Sequence, residues 1–333
     1  MADAALTQAS EGPQRIDDSP GASATGVKDA IFHGLCFTAA MVLMATLLGL
    51  LISLAVGGWP AFSHFGLQFF TSSEWNPSGT EDHPEFYGAA GPIVGTLITA
   101  LVAMVIALPL AIGIAVFLVE FCPKSIERWV AIAVELLAGI PSIVYGMWGL
   151  FVLAPWFEEH VMTPLRLIAA DHPGSFADHL MTGASSGSNI FTASIILAIM
   201  VLPFIATVFR ELLLSVPSHV REASYGMGCT PFEVVSSIML PYIRKSAVGA
   251  AMLGLGRALG ETMAVTFIIG NSHAFPKGVF DSGSTIASTI ANEFAEATGD
   301  LHTSALIALG LVLFVITFVV LAAARLLLGQ EKH

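Results

Sequence analysis

The sequence predicts an all-α membrane protein with six transmembrane helices, and three observations carry that expectation. The 333 residues are 55% hydrophobic and only 11% charged, with a mean hydropathy of +0.79, where an ordinary soluble domain carries about 25% charged residues. Six stretches are long and apolar enough for the roughly 20 residues that a helix needs to cross a hydrocarbon core about 30 Å thick. The basic residues fall on one side of those stretches, as the cytosolic loops of membrane proteins require. Such a composition excludes a disordered chain, a nucleic-acid binder and most cytosolic enzymes.

Residues 1–29 are polar and acidic, with Pro13, Pro20 and scattered Gly and Ser. They lack the basic start and short apolar core of a cleaved signal peptide and read as a disordered cytosolic tail. The apolar stretches follow near Ile31–Val56, Gly91–Val119, Trp129–Leu153, Ile190–Phe209, Ala247–Gly270 and Thr303–Ala324, and the second, fourth and sixth contain no charged residue. Residues 30–90 thus form a first helix with its outer loop, and residues 91–328 a core of five helices. Pro109, Pro141 and Pro203 lie within the spans, which lipid tolerates only where neighbours satisfy the freed carbonyls. Cys36, Cys122 and Cys229 are far apart and lack metal-ligand spacing, so free thiols rather than a disulfide framework are expected.

A cytosolic N-terminus places Arg15, Lys28, Lys124, Arg128, Arg210, Arg221, Arg244, Lys245, Arg325 and Lys332 inside. The outer loops then hold only Arg166 and Lys277 against twelve acids: Glu74, Glu81, Asp82, Glu85, Glu158, Glu159, Asp171, Asp178, Asp281, Glu293, Glu296 and Asp300. Both termini are therefore expected in the cytosol.

One inner loop differs from a plain connector. In Ser215–Ser246, Val220, Ala223 and Met227 recur at helical spacing, and Gly226 and Gly228 supply left-handed conformations that let a helix end. Thr230-Pro231-Phe232-Glu233 restarts one, with Thr at the N-cap, Pro at the first helical position and Glu closing a capping box. Val234, Val235 and Ile238 continue the apolar stripe, and Leu240-Pro241 is expected to break it before the next span. Two capped short helices at a membrane surface make a rigid knob suited to docking in a partner's groove.

Arg257 and Glu261 stand inside the fifth stretch, where a charge costs at least about 2.5–3.5 kcal/mol on insertion scales. On a continuous helix, residues at i and i+4 share a face and can pair. Gly249, Gly254, Gly256 and Gly260 leave that helix thinly clothed and open to close neighbours. Two readings stand side by side: an ion pair that locks the bundle, and a guanidinium on the path of an oxyanion, compensated by Glu261 when the path is empty. Glu135, near the inner end of the third stretch, is expected to snorkel to the cytosolic surface.

The hairpin also carries a resemblance. Glu222-Ala223-Ser224, three residues, Gly228, nine residues and Ile238-Met239-Leu240-Pro241 resemble the EAA loop of ABC-importer permeases, E-A-A-x3-G-x9-I-x-L-P. Only Ser224 departs, a small residue in place of a small residue. AGIPSIVYG at Ala138–Gly146, LPFIATVFRE at Leu202–Glu211 and GLGRALGETMAVTFIIGN at Gly254–Asn271 are similar to the phosphate-importer permeases, and the likeness runs from about Ile31 to Leu328.

The resemblance implies a type I ABC importer permease fold in a bacterial inner membrane, working by alternating access. It implies that the hairpin, about 215–245, couples to an ATPase through Glu222, Ala223, Ser224, Gly228, Ile238, Leu240 and Pro241, and it favours Arg257 and Glu261 as part of a phosphate pathway. The partners implied are a PstA-like second permease subunit in a heterodimer, two PstB-like cytosolic ATPase subunits and a PstS-like extracytoplasmic phosphate-binding protein. No cofactor is expected on this chain, ATP and Mg being used by the ATPase subunit. The acid-rich outer face repels free anions, so delivery by a binding protein resolves the mismatch and makes the outer loops a docking surface, unless the acids only keep those loops soluble.

No G-x-x-x-x-G-K-[ST] occurs in the chain, so it has no P-loop to cradle ATP, and it reads as a transport subunit rather than an enzyme. The competing classes are an ATPase-independent secondary transporter or channel, and an intramembrane enzyme. Within the importer class the alternative substrate is another oxyanion or a phosphonate.

Overall fold

In the computed structural model, residues 21–79, 84–172 and 186–329 are described. The chain divides into two compact units, Met1–Ser53 and Leu54–His333. The described part of the first unit is helical, belonging to α1 (Gly21–Phe65), and its side chains from Lys28 to Leu50 are all exposed. Of the expected disordered tail, 1–29, residues 1–20 lie outside the described residues, and 21–29 belong to α1 instead.

The second unit begins in the last turns of α1. It continues with α2 (Gln68–Thr71), a small antiparallel hairpin of β1 (Trp75–Asn76) and β2 (Phe86–Tyr87), and α3 (Ala90–Val116), which ends in a π-helical turn at Phe117–Phe121. Then come α4 (Lys124–Ala138), α5 (Ser142–Asp171, containing π turns at Gly149–Leu153 and Glu158–Met162) and α6 (Ile190–Leu214). The chain closes with α7 (Ser218–Gly226), α8 (Pro231–Glu233), a π turn at Val234–Met239, α9 (Leu240–Leu259), α10 (Met263–Thr266), α11 (Ile286–Glu293) and α12 (Asp300–Gly329).

The centre of the core is the pairing of α3 with α6. Ala100, Ala103, Ala107, Ala111 and Ala115 are buried at steps of three and four, a stripe of small side chains that lets the α6 backbone approach. Ile196, Leu197, Met200, Val201 and Ile205 of α6 belong to the same cluster, and α9 joins it at Gly254, where a Cβ would come 2.6 Å from Ile205 Cδ1. Gly249, by contrast, has open space around it, so the close approach expected of the four glycines is made by Gly254. Pro109 and Pro203 lie inside α3 and α6 as expected, and Thr207 Oγ1 donates to the Pro203 carbonyl at 2.9 Å.

The span pattern departs from six plain rods. Among the described residues, four helices are long and apolar enough to cross a membrane, at Lys28–Phe65, Ala90–Phe121, Ile190–Leu214 and Asp300–Ala323. A fifth is reached if α4 and α5 count as one broken span, but they meet at 86°. Pro141 therefore stands at the bend, as the N-cap of α5 with extended ψ of 136°, rather than within a continuous helix; a proline steers the residue before it away from helix, which helps end α4 there. Glu135 sits on α4, before that bend. The fifth apolar stretch is also interrupted: α9 ends at Leu259, Gly260 and Glu261 form a break, and α10 resumes at Met263.

Candidate functional site

The hairpin folds as its local grammar dictates. α7 ends after Gly226, and Gly228 takes φ of +90°, the left-handed turn that only glycine adopts without strain. Gly226 itself remains helical. Thr230 Oγ1 accepts from the Glu233 amide at 3.4 Å while Glu233 Oε2 accepts from the Thr230 amide at 2.8 Å, so the capping box is complete. Those hydrogen bonds hold the Glu233 carboxyl below the ordinary carboxylate range, against a weaker opposing effect of burial. Leu240-Pro241 does not break the helix. The π turn at Val234–Met239 runs straight into α9, with Pro241 in its first turn, where a missing amide costs least.

The buried face of α7 also differs from the expected one. Val220, Ala223 and Met227 do not form it. Ser224 does, only 2% exposed, with its Oγ satisfied by the Val220 carbonyl at 2.7 Å. The position where this chain departs from the EAA pattern is thus the one packed inward, and its hydroxyl has a partner. Glu222 and Ala223 are exposed, as is Gly228, while Ile238 and Leu240 are half-buried and Pro241 is exposed. Met227 and Phe232 are 77% and 76% exposed at the tip of the hairpin, an apolar pair on the same element as the exposed Glu222 carboxylate.

Arg257 lies in the last turn of α9, exposed, with its guanidinium carbon 5.8 Å from the centroid of the Phe204 ring on α6. Glu261 is half-buried and accepts from the Ala264 amide at 3.3 Å, at the start of α10. No ion pair joins the two among the described residues. The expected i,i+4 pair fails because α9 ends between them at Gly260, and the carboxylate turns to an unsatisfied amide of the next helix instead. On the side of α9 toward α12, Gly249, Ala250, Gly256, Phe318, Leu321 and Arg325 line part of an open, mainly apolar cavity of about 1160 Å³.

Sequence reasoning missed a cluster on the opposite loops. Glu293, at the end of α11, accepts from Trp75 Nε1 at 2.7 Å through Oε2, and His302 Nε2 lies 2.9 Å from the same oxygen. His273 Nε2 lies 3.1 Å from Oε1, and its ring stacks on Trp75 while that of His302 stacks on Tyr87. Burial works to raise the Glu293 carboxyl, but the bonds from His273, His302 and Trp75 outweigh it and hold the group below the usual range. Glu293 is one of the twelve acids assigned to outer loops, its side chain is 18% exposed, and no spacing in the sequence signals the cluster. Among the described residues no group of His, Cys, Asp and Glu could hold a metal ion, and all three cysteines are free.

A family model described as the binding-protein-dependent transport system inner membrane component matches residues 107–329. The chain belongs to that family. It is 51% identical over 300 residues to a phosphate transport system permease protein PstC of Mesorhizobium japonicum, covering 90% of each chain. The PstC of Pasteurella multocida is 49% identical, with 87% of this chain and 88% of that one covered. The PstC of Haemophilus influenzae is 47% identical, with 92% and 94% covered. Among solved structures, a bacterial ABC transporter involved in the import of alginate superposes with a TM-score of 0.58 at 14% identity, over 92% of this chain and 97% of that one. An inward facing MetNI methionine ABC transporter gives 0.54 at 17% identity, over 73% and 95%. The fold is therefore that of an ABC-importer permease in a multi-pass membrane protein.

Proposed function

We propose that this chain is the transmembrane permease subunit of an ATP-driven importer of inorganic phosphate. The observation that carries the reading is the identity of about half of all residues, along nine-tenths of both chains, with a phosphate transport system permease. In this reading α7 and α8 dock on a cytosolic ATPase subunit, with Glu222, Met227 and Phe232 outermost. Because the hairpin is inserted between α6 and α9, a displacement of it moves both helices. ATP and Mg belong to the ATPase subunit.

Arg257 serves the pathway as a planar guanidinium able to hold a phosphate by two parallel hydrogen bonds. Its exposure on α9 and its lack of a carboxylate partner among the described residues support that role, and the Phe204 ring supplies a place to rest when the path is empty. Glu261 contributes by starting α10, which fixes the break beside Arg257. A PstA-like second permease subunit completes the pathway, α9 with α10 and α4 with α5 each count as one crossing, giving six, and both termini are cytosolic. A PstS-like binding protein delivers the anion to the acid-rich outer loops.

Reconstitution tests this. The chain with its partner permease, ATPase subunits and phosphate-binding protein in liposomes should accumulate phosphate only with ATP, and phosphate-loaded binding protein should stimulate ATP hydrolysis. Free passage of phosphate through the permease without an ATPase would overturn the reading in favour of a channel or secondary transporter. Stronger competition by a phosphonate or another oxyanion than by unlabelled phosphate would change the substrate.

A further inference from the structure

The cytosolic end of α3 and the first hairpin helix are joined by one carboxylate. Glu120 stands in the π turn that ends α3, and its side chain is only 8% exposed although it is an acid. Tyr225 Oη donates to Glu120 Oε1, and the Arg221 Nη1 lies 3.6 Å from Oε2. Both partners stand on α7, four residues apart, and so present one face of that helix to a single group. Burial, together with the hydrogen bond to Glu120, pushes the Tyr225 hydroxyl up to about 12, so it stays protonated and remains a donor.

Covalently, the hairpin is attached only to α6 on one side and to α9 on the other. Nothing in the chain's connectivity links it to α3, and the Glu120 contact does so across about a hundred residues of sequence. The carboxylate also lies in a π turn, a rare widening of the helix that recurs at functional positions, and removing one partner from a buried charge is costly because the charge stays behind. A loop that merely connected two spans would need neither the buried acid nor the hydroxyl and guanidinium that converge on it.

We propose that Glu120 is a positioning residue that latches the hairpin to α3 through Tyr225 and Arg221, so that movement imposed on the hairpin reaches α3 together with α6 and α9. This rests on the importer reading above. The core already packs α3 against α6 along its alanine stripe, so the latch closes a rigid triangle of hairpin, α3 and α6 at the cytosolic end. Without it, the hairpin can swing on its two covalent joints while α3 stays behind.

The test uses the reconstituted complex, with Tyr225→Phe, Glu120→Gln and the double variant. Loss of a hydrogen bond to a charged group should lower phosphate imported per ATP hydrolysed by about threefold to tenfold in each single variant. The double variant should be little worse than the weaker single, because both break one contact. Amide exchange across 218–227 should quicken by a similar factor in all three. An unchanged import-per-ATP ratio overturns the proposal, as does an equal fall in import and hydrolysis that preserves the ratio, which is the mark of a purely structural contact. Additive losses in the double variant overturn it too. If the unaltered complex imports no phosphate, the importer reading falls and the coupling role with it, whereas exchange at 218–227 still reports whether the latch exists.

Discussion

Arg257 rests over the ring of Phe204, with its guanidinium carbon 5.8 Å from the centroid, while Glu261 four residues on is bonded to the Ala264 amide. Among the described residues, the arginine is thus held by an aromatic face rather than by a carboxylate. A cation over a ring is worth about 0.5–1 kcal/mol at exposed sites, far less than a buried ion pair would resist, so the side chain is free to exchange the ring for an anion.

Substituting the arginine by lysine keeps the charge and removes the planar fork. Arg257→Lys should lower phosphate uptake by about tenfold or more while the complex still assembles. Phe204→Leu should leave uptake within about fivefold, since only the resting contact is lost. Uptake assays in a strain without other phosphate importers, with co-purification as the assembly control, read both. Full uptake by Arg257→Lys would remove the residue from the pathway.

Glu293 makes stability depend on pH. Its carboxyl is held below the ordinary value of 4.5 in the folded chain, so its contribution is fully present above that value and is lost as pH falls through the folded one. The melting temperature of the purified subunit should therefore drop between about pH 5 and pH 3. Glu293→Gln should melt lower than the unaltered chain at pH 7 and show a flatter profile in that acid window. Identical profiles would mean the cluster contributes nothing to folding.

Two glycines separate close approach from open space. A Cβ at Gly95 on α3 would lie 2.1 Å from the Ser284 carbonyl oxygen, whereas Gly249 on α9 meets nothing within 4 Å. The next residue, Thr96, receives the Ile286 amide on its hydroxyl at 2.9 Å, so the backbone there has no slack. Gly95→Ala should cost about 1–3 kcal/mol by overpacking. Gly249→Ala should be neutral or gain up to about 1 kcal/mol from helix propensity. Thermal unfolding of the isolated subunit compares them.

The hairpin tip should dock by its apolar pair. Replacing Met227 and Phe232 together by Ser should leave the subunit's melting temperature unchanged, because both side chains stand in solvent, yet weaken co-purification with the ATPase subunit at least about tenfold, as loss of an interface anchor does. Thr230→Ala opens the capping box instead, and amide exchange over 231–235 should rise about fivefold. Retained binding by the Met227 and Phe232 double variant would move the docking surface elsewhere.

What the sequence determined by itself was whatever a few neighbouring residues decide. Apolar runs marked the four long helices, and Gly228, Thr230, Pro231 and Glu233 marked the helix–turn–helix, because caps and left-handed turns are settled within one turn of chain. The family's EAA spacing was legible for the same reason. Tertiary structure decided the rest. Trp129–Leu153 reads as one apolar span with Pro141 inside it, and the 86° bend there depends on what α4 and α5 pack against. The i,i+4 rule assumed a continuous helix, and the stop at Gly260 separated Arg257 from Glu261. Ser224 rather than Ala223 faces inward, on a helix whose Tyr225 bonds Glu120 over a hundred residues away. Glu293 reads like any loop acid until Trp75, His273 and His302 arrive from three other segments. Charges find their partners through space, and the chain order carries no record of that distance.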